Sequence, residues 1–358
     1  MAKRILVIAF FLFVTGCASF GPRVLVSDRY NYNRALGNSD KQEILLNIIR
    51  LRYNESPVIL SVGNISASAR LDKTARLTGT WSLPGPYVNN NLVGGATVDY
   101  TDNPIISYTP LHTSEYTTQF LSALKVPDLS LLLQSSWSIT RLLQIALQRV
   151  SNAENAASAA RPTSSHVPHY KDFIQFTYVL RRLQLHEALT YSIKKVGQHD
   201  ELVIHIDKKY RKFTPKEQRV MRKVGIEVYK GDIIFSTVRA PHRNYIVTRS
   251  LLGILNYLSK GVIIPPEDAA RHFVKQTYYK NGKLFDWQSA LNGLITIYYS
   301  TSIPKDVAVM VPYRGRWYYI KDSDTDSKES LIMVANFFSL VEKMPPGSES
   351  TVGLTRNV

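Results

Sequence analysis

Cysteine is almost missing from this chain: Cys17 is the single one in 358 residues. That excludes an internal disulfide framework and a cysteine-based zinc site. Long apolar runs are missing too. The run Ile5–Val14 (ILVIAFFLFV) falls short of the ~20 residues a membrane-spanning helix needs, and no later segment reaches that length. Acidic residues are scarce, at 28 Asp and Glu against 44 Lys and Arg, so the chain carries a net charge of +16. Such a balance draws a protein to anionic membrane surfaces, acidic protein partners or cell-wall polymer. Catalytic signatures are lacking as well. There is no Gly-x-Ser-x-Gly elbow, and His186-Glu187 opens like a zinc motif but meets Thr190 where the second histidine belongs. The glycines of residues 84–96 form neither Gly-x-Gly-x-x-Gly nor Gly-Lys-Ser.

What the chain does have begins at its amino end. Lys3-Arg4 precede the apolar run, and Val14-Thr15-Gly16-Cys17 follow it. This resembles the lipobox of Gram-negative lipoproteins, which implies cleavage before Cys17 and acylation of its sulfur. Several acyl chains make a stable anchor where one does not. Ala18, not Asp, follows the cysteine, which in such lipoproteins implies the outer membrane. Residues 1–16 are therefore expected to be a signal peptide, 17–28 a tether, and the body periplasmic, where nucleic acid is not a partner.

Hydrophobic residues make up 44% of the chain, enough for a substantial core. The remainder reads as a mixed α+β protein with mostly antiparallel sheets, packed helices and two subdomains. Residues 29–150 form the first: a capping box at Ser39-Asp40-Lys41-Gln42 opens a helix to Pro57, a strand covers 58–71 with a partner near 78–83, and three helices follow. Residues 151–168 (SNAENAASAARPTSSHVP) are small, polar and proline-punctuated, which predicts an exposed linker. Residues 169–344 form the second. A helix to Leu185 leads into a hairpin about Gly197-Gln198, and Thr214-Pro215 starts a helix that Gly225 ends. Gly261 closes a helix over 248–258. Asn281-Gly282 predicts a hairpin, and a helix runs over 327–341. Residues 345–358 are a tail.

Four blocks carry a resemblance over nearly the whole mature chain. They are Glu43-Ile-Leu-Leu-Asn47-Ile-Ile-Arg50-Leu-Arg52-Tyr53, Ser136-Trp137-Ser138-Ile139 with Gln148-Arg149, Thr248-Arg249-Ser250 through Ser259-Lys260-Gly261, and Tyr313-Arg314-Gly315-Arg316-Trp317-Tyr318-Tyr319-Ile320. Together they resemble a widespread group of Gram-negative outer-membrane lipoproteins of unknown function. The resemblance implies a lipid-anchored envelope protein and no particular activity. A looser likeness is to lipoprotein subunits of type IV secretion outer-membrane cores.

The candidate interface residues are Arg314, Arg316, Trp317 and Tyr319, an aromatic-cationic hairpin suited to planar hydrogen bonds and stacking, together with Arg50 and Arg52. The competing reading makes them ordinary core, with one arginine of the Arg50/Arg52 pair aimed at a carboxylate such as Glu55. Asp322-Ser-Asp324-Thr-Asp326 reads either as a weak cation site or as caps for the last helix. His205 and Asp207 alternate on one strand face as a candidate pair. No catalytic residue, metal site or cofactor is assigned. The expectation is a non-enzymatic structural subunit of an envelope assembly. The alternatives are a protein that binds or modifies peptidoglycan, and an anionic-lipid-binding module.

Overall fold

The computed structural model describes residues 20–79, 92–110, 114–156 and 166–341. Cys17, the signal segment, most of the expected loop over 84–96, the middle of the expected linker and the tail lie outside the described residues. The fold is α+β, with mostly antiparallel strands.

Helix α1 (Phe20–Arg52) is 33 residues long, about 50 Å at 1.5 Å per residue. It starts well before the capping box at Ser39 and includes most of the segment expected to be a tether. The box is thus the inside of a helix, not its start. Periodicity misses the first half because residues 29–40 are exposed nearly all round, with no apolar stripe to read. The second half is rooted in the body: Leu45, Ile48 and Ile49 are fully buried.

A second unit follows, made by β1 (Leu60–Gly79) and β2 (Leu92–Pro110), which pair antiparallel from Leu60 opposite Pro110 to Gly79 opposite Leu92, with a register shift between Val62 and Ile65. β1 is one strand where two were expected, and its partner is 92–110, not 78–83. The chain divides into compact units at 58–112, not near 151–168. The reason is visible in the sheet.

The body's largest sheet contains β3 (Leu147–Val150), β4 (Ala153–Glu154), β5 (Leu189–Val196), β6 (His199–Ile206), β7 (Asp232–Ser236) and β8 (Asn244–Thr248), in the order β4-β3-β8-β7-β6-β5. Strands from both sides of the expected linker therefore pair in one sheet, β3 with β8, and no boundary can pass between them. Ala153, Asn155 and Ala156 at the start of that segment are buried. Short side chains that read as linker are there because they fit a crowded place.

Around this sheet lie α2 (Ser114–Leu121), α3 (Val126–Gln134), α4 (Ile139–Ala146), α5 (Lys171–Leu185) and α6 (Pro215–Val224). Phe176 of α5 meets Phe235 of β7 edge-on at 6.4 Å, over buried Leu202, Ile204 and Ile206 of β6. Local signals worked well here. β5 and β6 turn through Gly197 and Gln198. Thr214 and Glu217 form a reciprocal cap at the start of α6, and Gly225 ends it with φ of 76°.

The rest comprises α7 (Leu251–Leu258), α8 (Pro266–Ala270), α9 (Trp287–Leu291), α10 (Thr325–Val341) and a three-stranded antiparallel sheet of β9 (Tyr298–Ser300), β10 (Val307–Tyr313) and β11 (Arg316–Lys321), ordered β10-β11-β9. Gly261 is not a left-handed helix end: a Cβ there would sit 2.5 Å from the Ile295 carbonyl oxygen, so close backbone approach demands glycine. Asn281-Gly282 makes its turn, with Gly282 at φ of 80°, but the flanks join only through a bridge between Tyr278 and Leu284. Among the described residues no helix is long and apolar enough to cross a membrane.

Candidate functional site

The β9–β11 sheet has two unlike faces because side chains alternate across a strand. On the inner face Val309, Val311, Tyr318 and Ile320 are buried. The end of α1 delivers Tyr53 to this face. Its hydroxyl donates to Asp268 Oδ2 at 2.5 Å and lies 2.6 Å from the Tyr318 hydroxyl. Burial, then the bond to Asp268, push the Tyr53 phenol far above its usual range, so it stays a donor. Arg316 reaches Asp268 at 3.4 Å and Glu267 at 3.1 Å.

Arg314 donates to Glu55 Oε1 at 3.0 Å and stacks over Tyr53 and Phe273, 4.9 and 5.2 Å from their centroids. It occupies a left-handed position, φ 49°, beside Gly315 at φ 72°. A tight strand turn needs two such residues, and asparagine is the favoured first one. Arginine is held there by its pairings. Both arginines singled out in the sequence are therefore engaged within the molecule. Glu55 is a partly exposed acceptor, and its partner is Arg314, not the Arg50/Arg52 pair.

The outer face is where the remaining two residues stand. Trp317 and Tyr319 are half-buried, in register with Ser300 and Tyr298 of β9. Tyr319 stacks on Tyr298 at 5.8 Å, and Lys321 Nζ lies 4.2 Å from the Tyr298 centroid. Pro312, opposite Trp317, is exposed. Such an aromatic face with a cationic edge has the composition of an interaction surface.

The Arg50/Arg52 pair separates. Arg50 bonds Asn47 at 3.4 Å. Arg52 is buried, donating from Nη1 to the Lys275 carbonyl at 3.0 Å, while its Nε has no hydrogen-bond partner. Beside it is Lys260, whose ammonium lies 5.6 Å from the Trp287 ring centroid. Burial first, then the charges of Arg52 and Lys275, lower the Lys260 pKa to about 7. Burial and neighbouring like charges thus both favour the neutral amine of Lys260. Sequence reasoning passed over Lys260 because a lysine closing an apolar helix looks like an ordinary end. Position 260 within Leu-Ser-Lys-Gly, between two buried neighbours, was the one available signal.

A second group the sequence did not reveal is structural. Arg249 is 2% exposed and donates to the carbonyls of Gln144, Ile145, Leu147 and Asn155, with its guanidinium 4.0 Å over the Tyr257 ring. Burial lowers it to about 10, still protonated at neutral pH. It ties α4, β3 and Asn155 of the 151–156 segment into one node.

The remaining sequence candidates resolve simply. His205 pairs across strands with Asp232 at 2.6 Å, not with Asp207, which caps the following turn. Asp324 caps α10 through the Ser327 amide at 3.0 Å, and Asp326 pairs with Arg141 at 2.5 Å. A cleft of about 800 Å³ is lined in part by Glu154, His169, Asp172, Lys223 and Tyr279. Two of its charged pairs close locally, Lys223 with Asp172 at 2.6 Å and Glu154 with Arg149. Comparison with protein-family models, curated proteins and solved structures finds no match for this chain.

Proposed function

We propose that this protein is a lipid-anchored structural subunit of a Gram-negative outer-membrane assembly, with its body in the periplasm and its work done by association, not catalysis. The observation that carries the reading is Val14-Thr15-Gly16-Cys17, three residues ahead of a 33-residue helix whose far end is buried in the body. Acylation at Cys17 attaches the chain to a bilayer, and α1 is a stiff connection of about 50 Å.

The partly exposed face of Tyr298, Trp317 and Tyr319 supports an association role and replaces Arg314 and Arg316 as the contact to test. Cys17→Ser is expected to release the protein from outer membranes or leave its precursor uncleaved, read by fractionation and intact mass. Unchanged mass and retention would overturn the anchor. With the anchor intact, Trp317→Ser with Tyr319→Ser is expected to reduce envelope proteins recovered by crosslinking from outer membranes. Undiminished recovery would remove this face from the interface.

A further inference from the structure

The ribbon β1–β2 has a feature that the anchor does not use. Its strands are 20 and 19 residues long, about 60 Å at the usual rise. Among the described residues they pair only with each other, so each has one edge whose amides and carbonyls face no third strand. An isolated two-stranded hairpin is marginal in water, and long unpaired edges recruit further strands.

The register sorts the residues onto two faces. One carries Leu60, Val62, Ile65, Ala67, Ala69, Leu71, Ala75 and Leu77 of β1. Opposite them stand Pro110, Tyr108, Ile106, Pro104, Asp102, Tyr100, Ala96 and Gly94 of β2. Lys73, opposite Val98, shares that face; with Asp102 it is the charged exception. The other face carries Ser66, Ser68, Arg70, Asp72, Thr74, Arg76 and Thr78 opposite Ile105, Asn103, Thr101, Asp99, Thr97, Gly95 and Val93. One face is thus mostly apolar, broken by Lys73 and Asp102, and the other mostly polar, broken by Ile105, Gly95 and Val93, along about twice the ~9–11 residues that a tilted strand needs to cross a bilayer.

In a soluble protein an apolar sheet face is covered by its own chain. In lipid it stays bare, provided the sheet closes so that no edge is left open. Two strands cannot close. The smallest barrels have about eight strands, so closure takes at least about four hairpins of matching alternation. The described residues of the chain supply one, and identical copies supply identical faces and edges.

We propose that the strands Leu60–Gly79 and Leu92–Pro110 form one hairpin of a β-barrel assembled from several copies of this chain in a lipid bilayer, apolar face to the acyl chains and polar face to a water-filled lumen. The inference rests on the membrane-attached reading above and names its partner, a second copy.

The test uses full-length protein purified from membranes and reconstituted into phosphatidylethanolamine–phosphatidylglycerol vesicles. Single cysteines are introduced on alternating faces: Thr74→Cys, Arg76→Cys, Thr97→Cys and Asp99→Cys on the polar one, Leu71→Cys, Ala75→Cys, Leu77→Cys and Val98→Cys on the apolar one. A charged maleimide is expected to label the polar set about tenfold faster than the apolar set, with a period of two along both strands. Amine crosslinking in the vesicles is expected to give closed oligomers, and Leu77→Arg to abolish them.

Equal labelling of both faces, as for a ribbon clasping a soluble partner, or a species that stays monomeric, would overturn the proposal. Mass spectrometry of the Cys17 peptide keeps the two readings apart. Acylated protein with equal labelling overturns the barrel alone, and unacylated protein with alternating labelling overturns the anchor alone.

Discussion

β6 in the body and β1 in the ribbon both alternate apolar and polar residues, yet their surroundings differ. Leu202, Ile204 and Ile206 of β6 are buried between flanking strands and helix α5. The exposed edge strand of that sheet, β5, carries Lys194 and Lys195, charges that discourage further strand pairing. β1 has an apolar face too, interrupted by Lys73 and by a register shift between Val62 and Ile65, and among the described residues its only strand partner is β2. The body answers its own packing requirements within one chain. Among the described residues the outer edges of the ribbon meet no further strand. Substitutions in the body should therefore read out as stability of the purified protein, and those in the ribbon as assembly.

The sharpest break should come at Arg249. Removing its guanidinium leaves the carbonyls of Gln144, Leu147 and Asn155 with lost donors in a fully buried place. Arg249→Ala is expected to cost about 3–5 kcal/mol, measured by urea unfolding of the body's near-UV signal. Lysine should not rescue it, since a single ammonium cannot reach several carbonyls in a planar fork. A loss below about 1 kcal/mol would show that the node is not what joins the two sides of the 151–168 segment.

Tyr53→Phe comes next. It removes one hydroxyl between Asp268 and Tyr318 and leaves a buried carboxylate short of a donor, with Arg316 still at 3.4 Å. About 1–3 kcal/mol is expected. The same geometry explains why charge reversal at Arg316 would be a poor probe of binding: it would place a second carboxylate beside Asp268 and damage the fold first.

How far the sequence showed these differences depends on the range of the contacts involved. Caps and tight turns are local, so α6 from Thr214 to Gly225 and the Gly197-Gln198 turn were legible residue by residue. The alternation of β1 was legible in part (Val58, Leu60, Val62), but its length and its partner were not, because a 20-residue strand exceeds the usual range and the pairing skips residues 80–91. The 151–156 residues were misread since burial by distant strands leaves no local trace. Among the site residues, Arg314 and Arg316 were picked out for their chemistry and Glu55 was named, though for the wrong arginine, while the carboxylates of Arg316, Asp268 and Glu267, lie far from it in sequence and became visible only in space.

Lys260 gives a smaller effect of opposite sign. Its pKa falls from the ordinary 10.5 to about 7 in the folded protein, so between those values the unfolded chain binds more protons than the folded one. Stability contributed at this position therefore rises with pH from about 7 toward 10.5 and is flat below 7, where both states are protonated. Lys260→Met is expected to raise stability at pH 6 by about 1–3 kcal/mol and to remove that slope. A thermal melt series from pH 6 to 10 in both proteins checks it. An unchanged slope would mean that the cluster of Arg52, Lys260 and Lys275 is already neutralised.

The smallest expected change is the one that sharpens the comparison most. Leu60 and Pro110 are direct register partners, about 5 Å apart as paired strand residues are, so a short Gly-Ser connection can replace the intervening residues without stretching the body. Because the chain divides at 58–112 and the ribbon shares no sheet with the body, the shortened protein should unfold within about 0.5 kcal/mol of the full chain, the range of additive, independent sites. Under the anchor proposed above it should keep the same mass shift at Cys17 and the same membrane fractionation as the full chain, yet yield no crosslinked oligomers in vesicles. Unchanged stability with lost oligomers would separate the two regions cleanly. A fall of several kcal/mol would instead mean that the body depends on the ribbon for folding, and that the alternating faces of β1 and β2 serve the monomer.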